Sequence, residues 1–273
     1  MSRVLIGNVK GPPGEDGITS FNGRTGAIIP QEGDYAIDML SISPEMHRNI
    51  FRGENLGSAV TEAQKAAIAD GSFKGMFVGD YWIINEVTWR IADLDYFFRC
   101  GDTEFTKHHL VIVPDKNLYS NKMNDANITT GGYMGSKMYT EYLEPAKNTI
   151  NAAFPGLVLS HKDYFVNAVT NGRPSAGAWV ESTVELMNEI MVYGNSVFTP
   201  ANDGTTIPSL YTTGKQQFAL FMLNPKMVNT REAYWLRDVV SGSRFARVVF
   251  SGIAAYGDVA SDFLGVRPYF CVG

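Results

Sequence analysis

The sequence predicts an α+β head domain that follows an extended, trimeric stalk rich in glycine and proline. Residues 1–35 contain seven Gly and three Pro, and this density then drops. From residue 73 onward, β-branched and aromatic runs occur at both ends of the region, with helix-capping signals between them. Strands at both ends with helices inserted indicate an α+β fold instead of alternating βαβ units.

The N-terminal segment carries a collagen-like repeat. Residues 11–19 read Gly-Pro-Pro-Gly-Glu-Asp-Gly-Ile-Thr, which is three Gly-X-Y triplets. Only glycine fits at the axis of three wound polyproline II chains, so the repeat predicts trimerisation. At about 3.1 Å per residue the repeat spans roughly 28 Å, which is too short to hold a triple helix alone. A flexible leader is the alternative. The predicted trimerisation and anchor residues are Gly11, Pro12, Pro13, Gly14, Gly17, Asn22 and Gly23.

The predicted organisation is a stalk over residues 1–35, a short helical connector over 36–72 and a head domain over 73–273. In the connector, Pro44 follows a serine cap and begins a helix. Thr61 and Gln64 form a capping box ahead of an alanine-rich helix that ends at Gly71.

The head has alternating strand and helix signals. Apolar and β-branched runs predict strands at 76–78, 81–84, 87–91, 110–113, 218–222, 234–237, 246–250 and 265–270. A proline at a first helical position predicts a helix at 145–154, and a capping box at Ser182 predicts a second helix that ends at Gly194. Four tryptophans are expected in the core, because each has apolar neighbours: Trp82, Trp89, Trp179 and Trp235.

Composition excludes several classes of protein. Of 273 residues 45% are apolar and 12% aromatic, which is typical of a well-packed globular chain. A formal charge of −5 gives no reason to expect nucleic acid or anionic lipid as a partner. Cys100 and Cys271 form neither a disulfide framework nor a metal motif. The N-terminus is too short for a signal peptide, and no run reaches the ~20 apolar residues of a membrane span. A soluble product made in the cytosol is expected.

Several segments resemble a known class of bacteriophage protein. The leader resembles collagen-like and Asn-Gly-x-Thr-Gly-Ala segments of phage tail, baseplate and head-fibre proteins. In the head, Tyr-Trp-Leu-Arg at 234–237 is followed by Gly-Val-Arg-Pro at 265–268, 28 positions after Arg237. This pair resembles the C-type-lectin-like fold of formylglycine-generating-enzyme relatives and of diversified phage receptor binders. The resemblance implies paired N- and C-terminal strands and a display surface over 239–262.

Catalysis is not expected. The generating enzymes depend on a pair of cysteines near the C-terminus, where this chain has Cys271 alone. Asp102, His108 and His109 form the one cluster with catalytic or metal-binding residue types, but adjacent histidines in a strand point to opposite faces. Structural hydrogen bonding is therefore favoured, and no metal or cofactor is expected. His47 and His161 are expected at the surface. The carboxylates of Asp93 and Asp95 leave a polysaccharide-cleaving fibre as a weaker alternative.

The C-terminal region contains arginine but no lysine after residue 227. Arg237 and Arg267 lie inside strand motifs and favour structural ion pairs, with Asp238 or Asp262 as partners. The intervening residues lie on the expected display surface, where Gly242, Gly252, Gly257 and Gly265 are expected to form turns. The predicted ligand-binding residues are Ser243, Arg244, Arg247, Ser251 and Tyr256.

These observations predict a homotrimeric phage virion fibre whose N-terminus joins other virion proteins. Its head would adhere to a bacterial-surface or environmental glycan. A structural decoration or joining protein without a ligand is the alternative.

Overall fold

The computed structural model of the chain describes residues 20–21, 24–25, 44–199 and 216–273. The chain has two compact units, Met1–Ser41 and Ile42–Gly273. In the first unit, β1 (Ser20–Phe21) pairs antiparallel with β2 (Arg24–Thr25). The predicted stalk and anchor residues lie outside the described residues: Gly11, Pro12, Pro13, Gly14, Gly17, Asn22 and Gly23.

The second unit mixes helices and sheets and is mostly β, which is compatible with an α+β fold. Its first sheet has the strand order β10-β15-β5-β4-β3, with β7 also paired to β15. The strands of this sheet are β3 (Tyr81–Ile84), β4 (Val87–Leu94), β5 (Leu110–Pro114), β7 (Val158–Leu159), β10 (Val184–Leu186) and β15 (Pro268–Val272).

The second sheet has the order β13-β12-β11-β14-β6. Its strands are β6 (Tyr119–Asn121), β11 (Tyr234–Ser241), β12 (Arg244–Val248), β13 (Ala254–Val259) and β14 (Leu264–Val266). The segment predicted as a display surface therefore folds as the antiparallel meander β11-β12-β13 at one side of this sheet. Gly252 lies in a turn with φ of 85°, whereas Gly257 and Gly265 lie within strands.

The hairpin β3–β4 is confirmed, with Asn85 and Glu86 in its turn. Both residues have positive φ, 51° and 65°, which is the backbone of a type I′ turn that matches the twist of paired strands. The register places Trp82 opposite Trp89, and both indoles are fully buried. The residues at 76–78 do not form a strand, because Val78 alone makes a bridge, to Phe51.

The C-terminal strand β15 lies inside the first sheet. It pairs with β5 along one edge and with β10 and β7 along the other, and all five of its residues are buried. The predicted buried strand at 110–113 is thus confirmed, as is the burial of Cys271. The closing strand pairs with β5, and two strands separate it from β3, so the first and last strands of the head are not direct neighbours.

The middle of the chain forms a long hairpin that the sequence analysis did not predict. β8 (His161–Thr170) pairs with β9 (Arg173–Ser182), and Asn171 and Gly172 form the turn with φ of 51° and 76°. An added Cβ at Gly172 would lie 2.9 Å from the backbone nitrogen of Gly242, which lies in the turn between β11 and β12. Glycine at 172 therefore also permits the close approach of the two turns.

Five helices lie around the sheets in the described residues: α1 (Pro44–Arg48), α2 (Glu62–Ala69), α3 (Glu144–Ala153), α4 (Glu189–Tyr193) and α5 (Ala219–Leu223). The capping box of α2 is confirmed, because Gln64 N–H donates to Thr61 Oγ1 at 3.2 Å and Thr61 N–H donates to Gln64 Oε1 at 2.9 Å. A π-helical turn at Met138–Tyr142 precedes α3, and a 3₁₀ turn at Pro225–Val228 follows α5. No helix in these ranges is long and apolar enough to cross a membrane.

Two further predicted elements were wrong. Ser182 does not cap a helix, since it ends β9 and Val184–Leu186 pairs with the closing strand; α4 begins later, with Asn188 as its cap, and ends at Gly194 as expected. Residues 218–222 do not form a strand but lie largely within α5, where Leu220 and Phe221 are buried. A short apolar run can be buried either as a strand or as a helix, so its hydrophobic pattern does not distinguish the two.

Burial in the core is confirmed for three of the four tryptophans. Trp82, Trp89 and Trp235 are fully buried, whereas Trp179 on β9 is only half-buried and contacts Tyr164 edge-on at 5.5 Å. Phe154 contacts Trp82 and Trp89 edge-on, which fixes α3 against the β3–β4 hairpin.

Candidate ligand-binding surface

Arg244 and Arg247 lie at the two ends of β12, and both reach Asp258 on the neighbouring edge strand β13. Arg247 donates from Nη1 to Asp258 Oδ2, and Arg244 Nη1 lies 3.9 Å from Asp258 Oδ1. Arg244 Nη1 also donates to the carbonyl of Gly257 at 3.2 Å. The three side chains retain 37%, 28% and 21% of their exposure for Arg244, Arg247 and Asp258. They form a partly open polar cluster at the edge of the second sheet.

Asp262 extends this cluster beyond the end of β13. Burial, the negative charge of Asp258 and a hydrogen bond with Asp258 raise the pKa of Asp262, while Arg244 and Arg247 act in the opposite direction. Two guanidinium groups and two carboxyls are therefore in electrostatic contact, and their formal charges cancel. We call these four residues, Arg244, Arg247, Asp258 and Asp262, the Arg/Asp cluster.

A bulge in β13 brings the cluster together. The register pairs Arg247 with Ala255 and Phe245 with Asp258, so Ala246 faces two residues, Tyr256 and Gly257. Gly257 has φ of 42°, and a Cβ there would collide with the carbonyl oxygen of Phe245. Only glycine suits this position, and the extra residue keeps Asp258 on the same side of the sheet as Arg247.

Tyr256 is directed away from the Arg/Asp cluster. It follows Ala255, the partner of Arg247, and side chains alternate along a strand, so Tyr256 lies on the opposite side of the sheet. There it contacts Phe198 edge-on at 6.0 Å and is 55% exposed. The structure thus brings Arg244 and Arg247 together at Asp258 and places Tyr256 on the side of the sheet opposite Arg247.

The two predicted serines differ in environment. Ser243 is half-buried in the turn between β11 and β12, where its carbonyl accepts from the N–H of Ala260 at 2.9 Å. Ser251 is exposed in the turn between β12 and β13. Its neighbours Phe250 and Ile253 are 68% and 66% exposed, so the tip of this hairpin is apolar.

Arg237 and Arg267 are structural, as expected, but their partners were not those predicted. Arg237 forms an ion pair with Asp163 at 2.7 Å and not with Asp238 or Asp262. Arg267 donates from Nε to the carbonyl of Pro114 at 2.9 Å and from Nη2 to that of Met227 at 3.1 Å. Both guanidinium groups lie over aromatic rings in the core, which is possible because a planar, weakly hydrated cation stacks on such faces.

The histidine cluster has structural partners. Asp95 accepts from the backbone N–H of His109 at 2.9 Å and lies 2.7 Å from His108 Nδ1. Asp102 does not join them, because it pairs with Lys162 at 3.0 Å. No group of three or more metal-ligating side chains converges within the described ranges.

The expectation for two other histidines was wrong. His47 is buried, hydrogen-bonds the carbonyl of Met76 at 2.8 Å and stacks on Phe77. His161 is also buried and stacks against Phe97 at 4.0 Å, and burial lowers its pKa to about 4. A lone histidine carries no sequence signal that separates these environments.

Asp93 and Asp95 do not form a pair of acids on one strand. Asp93 lies in β4, where it accepts from Arg48 Nε at 2.5 Å and from the N–H of Ala219 at 2.9 Å. Asp95 follows the end of β4 with φ of 54° and faces the histidines. The two carboxylates thus hold different parts of the fold.

Asp258 and Asp262 lie in the predicted display segment but were not among the predicted ligand-binding residues. Asp258 and Asp262 are four positions apart, and Arg244 and Arg247 on the preceding strand are three positions apart. This spacing indicates a cluster only once the register of the hairpin is known. No protein-family model matches the chain, and no curated protein or solved structure is similar to it.

Proposed function

We propose that this chain is a phage virion fibre protein whose C-terminal unit is a C-type-lectin-like head that adheres to host or environmental glycans. Its N-terminal stalk would form a homotrimer and join other virion proteins. The collagen-like leader and the Trp-Leu-Arg and Gly-Val-Arg-Pro motifs support this assignment. The observation that carries the binding function is the partly exposed Arg/Asp cluster on the segment predicted for display.

Adhesion by such a surface needs no deep cleft. Hydrogen-bonding groups at the edge of a rigid sheet can each bind a sugar weakly, and a trimer multiplies those contacts through avidity. The meander β11-β12-β13 supplies the rigid frame, because Phe245 and Ala246 between the arginines and Val248 after them are fully buried.

One observation supports the alternative of a joining protein without a ligand. Phe250 and Ile253 expose large apolar side chains at the tip of the β12–β13 hairpin. Exposed apolar groups of this kind favour a protein partner over a sugar.

The experiment is binding of the full chain to an array of bacterial surface polysaccharides. The proposed function predicts binding that the double variant Arg244→Ala and Arg247→Ala weakens while its melting temperature stays unchanged. Arg173→Ala, an exposed arginine at the end of the β8–β9 hairpin, is the matched control. Absence of binding to every polysaccharide would favour the joining protein, and release of oligosaccharides from the array would instead indicate a polysaccharide-cleaving fibre.

A further inference from the structure

We infer that the Arg/Asp cluster binds the vicinal hydroxyl groups of a neutral sugar, and that uronic, sialic or phosphorylated glycans are not its ligands. This inference rests on the proposed adhesion function and names the chemical class of its ligand. It follows from the charge balance and from the free donors and acceptors of four residues.

The charge balance disfavours an anion. Arg244 and Arg247 both contact the carboxylate of Asp258, and Asp262 lies beside Asp258. An anionic sugar at these guanidinium groups would approach two carboxyls at the same time. Arginines that are already neutralised by a shared aspartate lack the excess positive charge that binds carboxylate or phosphate groups.

The cluster retains hydrogen-bonding capacity of both kinds. Both arginines use Nη1 in the hydrogen bonds and ion pairs of the described residues, although a guanidinium carries five N–H donors. Nε of Arg247 is buried and is not among the donors that a ligand can reach. Each ionised carboxyl can accept up to about four hydrogen bonds. Donors and acceptors therefore alternate over a short stretch of surface.

A vicinal diol matches this alternation. Each sugar hydroxyl both donates and accepts, so adjacent hydroxyls can bind a guanidinium N–H and a carboxylate oxygen together. Tyr256 points to the other side of the sheet, so the bound sugar would rely on these polar contacts without stacking on that ring. A planar guanidinium group loses little conformational freedom on binding. The proposed trimer would carry three copies of this weak site, which raises the overall affinity.

The experiment measures binding of the full chain to matched neutral and acidic oligosaccharides by calorimetry. Arg244→Ala and Asp262→Asn are each expected to weaken binding of the neutral sugar about tenfold, which corresponds to ~1.4 kcal/mol. Tyr256→Ala and Arg173→Ala are expected to leave it within twofold. Melting temperatures of all four variants confirm that the fold is retained. Binding of the neutral sugar should also change little between low and high salt, because no net charge is exchanged.

Asp262→Asn separates the two ligand classes further. It leaves one carboxylate facing two arginines, so this variant is expected to gain affinity for acidic sugars while it loses affinity for neutral ones. Binding of the unaltered chain to acidic glycans alone, with steep salt dependence, would overturn the inference and leave the adhesion function intact. Loss of neutral-sugar binding in Tyr256→Ala, with Arg244→Ala unaffected, would also overturn it. Absence of binding to any sugar would contradict both proposals.

Discussion

Arg237 and Asp163 form an ion pair at 2.7 Å in which both side chains are almost completely buried. The pair connects β11 of the second sheet with the β8–β9 hairpin, and Tyr269 of the closing strand donates to the same Asp163 oxygen at 2.8 Å. Arg237 also lies over the ring of Phe165, 4.6 Å from its centroid. One hydrogen-bonded group thus joins the two sheets and the long hairpin.

Asp163→Asn is expected to lower the free energy of unfolding by about 3–5 kcal/mol, because it leaves a buried guanidinium without its counter-ion. Chemical denaturation measures the change. Asp102→Asn is the matched control, since it breaks the exposed pair with Lys162 and should cost less than ~1 kcal/mol. Equal effects of the two substitutions would show that the buried pair has no special role in stability.

Glu185 is expected to make stability depend on pH. It is buried, accepts from Tyr133 at 2.5 Å and from Ser182 at 2.8 Å, and burial raises its pKa from 4.5 to about 7. Between these values the folded state binds more protons than the unfolded state, so this residue's contribution to stability falls as pH rises through the window.

Glu185→Gln removes that dependence. From pH 4 to pH 8, the free energy of unfolding of the variant should rise by about 2–3 kcal/mol relative to that of the unaltered chain. The difference between the two proteins is the quantity to measure, because the pKa values of buried His109 and His161 are lowered to about 4 and give the opposite slope from pH 6.5 downward. Glu181→Gln, on the exposed side of β9, is the control that should show a flat difference. A flat difference for Glu185→Gln as well would contradict the prediction.

Trp235 and Trp179 provide a matched pair for the core. Trp235 is fully buried and donates from its indole nitrogen to the carbonyl of Asn121 at 2.8 Å. Trp235→Ala should cost ~3–5 kcal/mol, whereas half-buried Trp179→Ala should cost about 1–2 kcal/mol. Thermal unfolding of both variants tests this order. If Trp235→Ala keeps its melting temperature but loses adhesion, Trp235 contacts the ligand and not the core.

Local signals predicted part of this fold. The β3–β4 hairpin, the cap of α2 and the end of α4 at Gly194 each depend on a few neighbouring residues with a defined backbone geometry. The β8–β9 hairpin had an equally local signal in Asn171 and Gly172, and β8 was missed because two of its buried residues, His161 and Asp163, are polar and hide the apolar alternation.

Long-range pairing was beyond the sequence pattern. Arg237 is followed directly by Asp238, yet its partner, Asp163, lies 74 positions away. The candidate surface shows the same limit, because the bulge at Gly257 decides that Asp258 lies on the same side of the sheet as Arg247. Residue types suggested a polar display segment, and strand register determined which of its side chains meet.

The trimeric stalk remains a prediction from the glycine repeat. The full chain has a mass of 30.1 kDa, so light scattering should give about 90 kDa for three copies. Replacing Gly11, Gly14 and Gly17 together with Ala should convert the trimer to smaller species, because a Cβ does not fit at the axis of a triple helix. Glu15→Ala is the control, since the second position of a triplet faces outward and tolerates a side chain. A flexible leader would leave the mass unchanged in both variants, and a monomer at micromolar concentration in the unaltered chain would rule out the stalk as a trimerisation element in solution.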